Sequence, residues 1–470
     1  MRRFSWTVHL AGGKVATMTR LSQRFTAVAA LLALLSALTV RPAMAQQFLR
    51  DAETEALFED IAAPLVEAAG MRPGNVEFVL INDDSINAFV AGGQRVYIHS
   101  GLIASSDHVG QLQAVIAHEL GHVAGGHIIR LQSGASNATA ISIASLILGG
   151  LAMAAGGGEA GMGAMMLGQQ VAMAQFLSFS RTQETSADIA GATYLSKAGL
   201  SGRGSLEFFK KLQNQEYRYA IPQDNGYART HPMSSERISY LTNLYEEDAA
   251  WQNPYDADLE ARFQRVKAKL IGYLDPPRAL RDYPRGQDNE IAHTARAYAY
   301  HQGAYPAEAM SEVEALVAAN PADPYLLELK GQILLESGKP VEALDPLRRA
   351  VELAPDEPLI ATTFGHALIA TEDESHFAEA KQVLRRAVVQ DEYNPFAWYQ
   401  LGIIYDREGD SARAALASAE RFHMLGQHRL ALSSARMAMG GIPQGPDWLR
   451  AQDIAMVSEH ELKKAGEEIR

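Results

Sequence analysis

Residues 111–130 read QLQAVIAHELGHVAGGHIIR, with apolar Leu112, Val115, Ile116, Leu120, Val123 and Ile128 recurring at helical spacing. The stretch predicts a helix. Inside it, His118-Glu119-Leu120-Gly121-His122 sets two histidines four positions apart. That spacing is one turn, ~6 Å along the axis, so both rings can reach one metal ion from a single face. Glu119 is rotated by ~100° from them and can reach a water rather than the ion. The plainer alternative is a helix with two surface histidines. Catalytic zinc takes three protein ligands, and the sequence contains no cysteine. The third ligand must therefore be His, Asp or Glu. Residues 180–195, SRTQETSADIAGATYL, set Glu184 and Asp188 one helical turn apart. Glu184 can be that ligand while Asp188 orients a ligating histidine; an acidic, solvated face is the alternative.

Outward from the helix, residues 46–70 follow a helical pattern, whereas 76–81 (VEFVLI) and 95–99 are β-rich and flanked by turn residues. Between 131 and 180 the sole charged residue is Glu159, among many Ala, Gly, Ser and Met. This composition predicts two small-residue helices packed closely on the preceding one. A methionine-rich lid (Met162, Met165, Met166, Met173) over a substrate groove is compatible with that packing. Residues 138–155 are apolar enough to touch a bilayer, but their glycines weaken the case for spanning it.

The whole chain has 470 residues, 47% hydrophobic and 21% charged, with a formal charge of −13. It can bury sizeable cores, and its charge argues against nucleic acid as a partner. Arg20 and Arg24 precede a charge-free run at 25–40 and then Ala43-Met44-Ala45, the pattern of a secretory signal. Residues 1–45 are expected to be that signal peptide, with Met18 an alternative start. The segment holds six basic residues and no acid, so its removal leaves −19. The expected compartment is the periplasm of a Gram-negative cell.

Toward the other end, Pro276-Pro277 and the polar run 281–289 read as a linker. Beyond it a repeat emerges. Asp323-Pro324 recurs as Glu357-Pro358 after 34 residues and as Asn394-Pro395 after 37, with Gly331, Gly365 and Gly402 in register. Ala343, Ala380 and Ala414 keep the same spacing, and the three extra residues fall at 371–375. This resembles the tetratricopeptide repeat of paired helices. The expected fold is α+β and mostly helical: a zincin-type metalloprotease domain with a small sheet, then an α-solenoid of tetratricopeptide repeats. Expected boundaries are 46–280 for the protease domain, 281–288 for the linker, 289–440 for the repeats and 441–470 for a C-terminal helical cap.

HELGHVAGGH, then SRTQETSAD, then THPMSSERI at 230–238 together resemble the gluzincin metallopeptidases of the HtpX and CAAX-prenyl-protease type. The resemblance implies one Zn2+ per chain on His118, His122 and Glu184, with Glu119 as general base. His231, in THPMSSERI, matches a histidine that in the exported, repeat-bearing branch can take the fourth zinc position from a mobile loop. That would silence the enzyme, because catalysis needs an open position; a local helix-capping role is the alternative. Arg237 either stabilises the oxyanion or anchors its helix. His127 does not fit the longer zincin motifs and reads as structural. Asn87-Ala88-Phe89 and the following GGQRVYIHSGLI match the family's strand beside the active site, and the strand near 95–99 can pair with an extended substrate. The same resemblance implies unfolded or misassembled outer-membrane proteins as substrates. It also implies docking through the repeats onto the outer-membrane β-barrel assembly machinery, while the apolar stretch 138–155 allows peripheral membrane contact. A chaperone or scaffold with a mainly structural zinc is the alternative.

Overall fold

The computed structural model describes residues 47–127, 130, 136, 139–148, 158–218, 231 and 235–467. The expected signal segment, residues 1–45, lies outside them. The described chain begins with strand β1 (Gln47–Leu49), then helix α1 (Ala52–Ala68), β2 (Glu77–Asn82), β3 (Ala88–Ala91) and β4 (Arg95–His99). Helices α2 (Ser100–Ser105), α3 (Val109–Gly125), α4 (Gly158–Lys197), α5 (Arg203–Arg218), α6 (Ser235–Glu246), α7 (Ala257–Leu274) and α8 (Pro276–Asp282) follow. Residues 139–148 are also helical.

The first residues differ from the helix expected over 46–70. Residues 47–49 join the sheet instead, and α1 starts only after Asp51, whose side chain accepts from the Thr54 amide at 2.8 Å. The sheet order is β1-β2-β4-β3, with β2 parallel and β3 antiparallel to β4. A three-residue turn joins β3 to β4, and Gly92 and Gly93 supply its positive φ angles of 61° and 100°. This order corrects one expectation. The 95–99 strand has neighbours on both sides, so its ladder is complete and it cannot add a substrate strand. The open edge beside it belongs to β3.

Helix α3 is buried along its first fourteen residues, through apolar Leu112, Val115, Ile116 and Leu120. These pack with Leu57, Phe58 and Ile61 of α1, Leu195 of α4, Phe208 of α5 and Phe263 of α7 in one core. Glu260 on α7 accepts from the Val109 amide at 2.7 Å and so caps the helix from a distance. The helix stops short of the expected residue 130 because Gly126 turns left-handed, φ 60°. Helices α3 and α4 approach closely at glycines: a Cβ on Gly121 would stand 2.7 Å from the Ala187 carbonyl oxygen, and one on Gly191 3.0 Å from the His118 nitrogen.

Five helix pairs complete the chain: α9 (Glu290–Gln302) with α10 (Pro306–Ala319), α11 (Pro324–Glu336) with α12 (Pro340–Leu353), α13 (Pro358–Ala370) with α14 (Phe377–Gln390), α15 (Pro395–Arg407) with α16 (Ser411–Met424), and α17 (His428–Gly441) with α18 (Pro446–Lys464). This is the expected solenoid. Pro324, Pro358 and Pro395 each open a helix, where the missing amide costs nothing. Gly331 and Gly365 lie against Leu347 and Leu384 of the paired helix with no room for a Cβ. The inserted residues form a 3-10 turn, Glu374–His376, outside the stack. Pro276-Pro277, read as linker, instead opens α8 beneath an Asp275 cap. The connection after α8 is held down by Arg296, which donates to the carbonyls of Tyr283, Pro284 and Gln287.

Candidate metal centre

Helix α3 supplies His118 and His122 from one face, and α4 crosses it to supply Glu184 and Asp188. His231 comes from the connection between α5 and α6. All are buried, as are Glu119 and Arg237. One ligand atom from each of His118, His122, Glu184 and His231 falls within 4.8 Å of the other three. The spacings are narrower than that limit. His118 Nε2 lies 3.1 Å from His122 Nε2 and 3.2 Å from His231 Nδ1. Glu184 oxygens lie 3.4 Å from both His118 Nε2 and His122 Nε2, and 3.1 Å from His231 Nδ1. Four donors around an ion with ~2.0 Å bonds in tetrahedral geometry stand about 3.3 Å apart. The donor set, three imidazoles and a carboxylate, fits a metal ion of the borderline-soft class.

The remaining faces of the ligands are also engaged. His118 Nδ1 meets Asp188 Oδ1 at 3.0 Å. Asp188 is gripped by Arg237, at 2.6 Å from Nε and 2.9 Å from Nη2, and Arg237 Nη2 also reaches Glu184 at 3.3 Å. His122 Nδ1 lies 3.0 Å from His127 Nδ1. With Nε2 turned to the cluster, His122 can carry its proton on Nδ1 and share it with His127. His127, read from sequence as structural, thus braces the second histidine of the cluster as Asp188 braces the first. Its signal was the Gly125-Gly126 pair before it. The left-handed Gly126 swings the chain back, and a Cβ on Gly125 would collide with the His127 ring.

Electrostatics follow from burial and these contacts. Burial alone would lower the pKa of His118, but Asp188 and Glu184 raise it to about 10. Burial, with the neighbouring His118, holds His122 well below its ordinary value. Burial would raise Glu184 and Asp188, yet hydrogen bonds from His118, His231 and Arg237 hold these carboxylates low and ionised. Glu119 goes the other way: burial raises it. Its two oxygens are buried with no hydrogen-bond partner, and its nearest cation-forming neighbour is His231 Nε2 at 3.5 Å. His231 Nε2 also lies 3.2 Å from the Ala88 carbonyl on β3. One imidazole therefore touches the other members of the cluster, the Glu119 carboxylate and the sheet edge at β3.

A cluster of this kind beside a buried carboxylate that accepts no hydrogen bond defines a class, and the chain is a metallopeptidase. Residues 49–245 match the family model described as peptidase family M48. It is 25% identical over 411 residues to the beta-barrel assembly-enhancing protease of Escherichia coli (strain K12), covering 84% of this chain and 82% of that one. The same protease of Yersinia pestis is 24% identical over 395 residues, 81% of this chain and 79% of its own. Among solved structures, YrrB, described as a TPR protein with an unusual peptide-binding site, covers 49% of this chain and 99% of its own at 21% identity; its TM-score of 0.28 is too low to carry weight.

Proposed function

We propose that this chain is an exported, zinc-dependent endopeptidase that cleaves unfolded or misassembled outer-membrane proteins and is held inactive at rest by His231. The observation that carries the reading is the convergence of His118, His122, Glu184 and His231 beside the unpartnered Glu119. His118, His122 and Glu184 would hold one Zn2+. Bound there, the ion supplies Lewis acidity, acidifying water and polarising a carbonyl. Glu119, kept basic enough by burial and free of competing hydrogen bonds, takes the proton from the attacking water and delivers it to the leaving amine. Asp188 and His127 fix the two ligating rings, and Arg237 serves as a positioning residue, since its guanidinium grips Asp188.

Selection of unfolded chains follows from β3. His99 donates from its amide to the Asn87 carbonyl at 3.0 Å, and Phe89 lies opposite Tyr97, so the alternate residues Ala88 and Val90 turn their backbone groups outward. An extended substrate can pair there, whereas a folded chain has no free strand to offer. His231 uses the same Ala88 carbonyl. Latch and substrate strand are therefore mutually exclusive, and substrate binding favours release.

By similarity to beta-barrel assembly-enhancing proteases, the function includes assembly and quality control of outer-membrane proteins in the periplasm, after removal of residues 1–45. Residues 46–280 would form the protease unit, joined by 281–288 to repeats at 289–440 that dock on the assembly machinery, with 441–470 as the cap. Digestion of an unfolded outer-membrane protein by wild type, Glu119→Gln, His231→Ala and the double variant tests the proposal. Expected are faster cleavage by His231→Ala and none by either Glu119→Gln form. Absence of cleavage by every form, with one zinc bound per chain, would instead favour a repeat-based scaffold with a structural metal.

A further inference from the structure

We infer that the nearly charge-free apolar surface formed by residues 139–148 and the first half of α4 is a lipid-contacting element that seats the enzyme on an uncharged bilayer surface, with its active site a fixed height above it. The inference goes beyond the peptidase reading and does not depend on it.

In a water-facing helix pair, bulky apolar side chains turn inward and small or polar ones outward. Here the order is reversed. Ser145 and Ala172 are buried, while Ile147, Leu148, Met162, Met166, Leu167 and Met173 lie outside at 58–64% exposure. The two helices meet through small residues: a Cβ on Gly168 would stand 1.9 Å from the Ser145 Cβ, and the Ser145 hydroxyl is turned back onto the Ser142 carbonyl at 2.7 Å. Small residues at the seam and bulky apolar residues outside is how helices pack in lipid, where no hydrophobic drive exists between them.

Charge selects the occupant. The chain carries −13 overall, yet residues 131–180 carry only Glu159. A charged protein partner finds nothing to pair with on this surface, and an anionic membrane would repel the rest of the molecule. An uncharged bilayer surface complements it. No helix among the described residues is long and apolar enough to cross a membrane, so the contact is interfacial. Helix α4 is continuous from Gly158 to Lys197 and carries Glu184 eleven residues beyond Met173. At 1.5 Å per residue, the metal ligands would stand roughly 15–30 Å from the lipid-touching side chains.

The absence of cysteine makes a clean test possible. Met166→Cys in the mature chain is labelled with an environment-sensitive dye, and Ser411→Cys in the repeats serves as the distant control. Both are mixed with zwitterionic phosphatidylcholine vesicles, with and without acyl-chain quenchers. Expected are a blue shift and quenching at 166, neither at 411, and flotation that persists at about 0.5 M salt. Leu146→Glu with Met166→Glu should cut flotation at least ten-fold, with unchanged circular dichroism showing that the fold survives. The inference is overturned by no response at 166, by binding confined to anionic vesicles and lost in salt, or by a vesicle-independent shift that grows with protein concentration. The last outcome would assign the surface to a second copy of the chain.

Discussion

Glu119 and His122 lie three positions apart on one helix and are driven in opposite directions by the same burial. Glu119 has no hydrogen-bond partner and is raised, whereas His122 is held neutral and is braced from behind by His127. The histidine pair, Glu119 and the Glu184/Asp188 pair were all legible, because one-turn spacing on a helix fixes which side chains share a face. His127 was not, since its role depends on a left-handed glycine that folds the chain back on itself. The two braces should be separable from the chemistry. Asp188→Asn and His127→Leu are each expected to weaken zinc binding about 10–100-fold, measured by competition with a chromophoric chelator, while Glu119→Gln leaves that affinity within a few-fold. Equal zinc affinity in all three variants would mean that the ligands hold themselves.

At the scale of elements, the crossing of α3 and α4 sets the distance between the histidines and Glu184. Gly121 lies at the closest approach, so Gly121→Ala pushes a methyl against the Ala187 carbonyl. The expected result is loss of zinc at ordinary chelator concentrations and a fall in stability of about 1–3 kcal/mol, read by metal analysis and denaturant unfolding. The sheet carries a second prediction. Strand content and position were readable from β-rich runs, but strand order was not: alternation says which face a residue occupies, never which strand is its neighbour. Val90 turns its amide away from β4, so Val90→Pro removes a donor from the open edge without cutting the β3–β4 ladder. KM for an unfolded substrate should rise roughly ten-fold, an effect of about 1.4 kcal/mol, with little change in kcat. A fall in kcat alone would remove β3 from substrate binding.

Across the whole molecule, residues Phe48–Arg470 hold together as one compact unit. The repeat register was plain from its prolines and glycines, but the junction with the peptidase half was not, because its members are scattered over 340 residues of sequence. Arg265 on α7 bonds Glu53 in the first turn of α1, and reaches Glu290 at 3.0 Å and Asp323 at 2.6 Å at the starts of two repeat helices. Lys269 pairs with Asp51 and Glu53 at 2.6 and 2.9 Å, and Arg50 reaches Asp391 at 3.0 Å. Ala52 lies in the same apolar cluster as Leu327, Ala350 and Ile360 of the repeats. Glu328 lies at this junction too. Burial and the Asp51 charge push it up to about 7, so its stabilising contribution is complete below its unfolded value and is lost as pH rises through 7. Glu328→Gln should accordingly raise Tm by a few degrees at about pH 8 and leave it nearly unchanged at about pH 4, below the unfolded value. Arg265→Ala acts in the opposite direction, because it removes the cation that joins Asp323 and Glu290 to Glu53 and leaves Glu53 with Lys269 alone. Breaking a buried pair costs about 3–5 kcal/mol, and this loss falls on the contact between the halves rather than on either core. Calorimetry is therefore expected to give one unfolding transition for the wild type and two for Arg265→Ala, the repeats separating from the peptidase half. One transition at an unchanged temperature would mean that the apolar contact around Ala52 alone joins them.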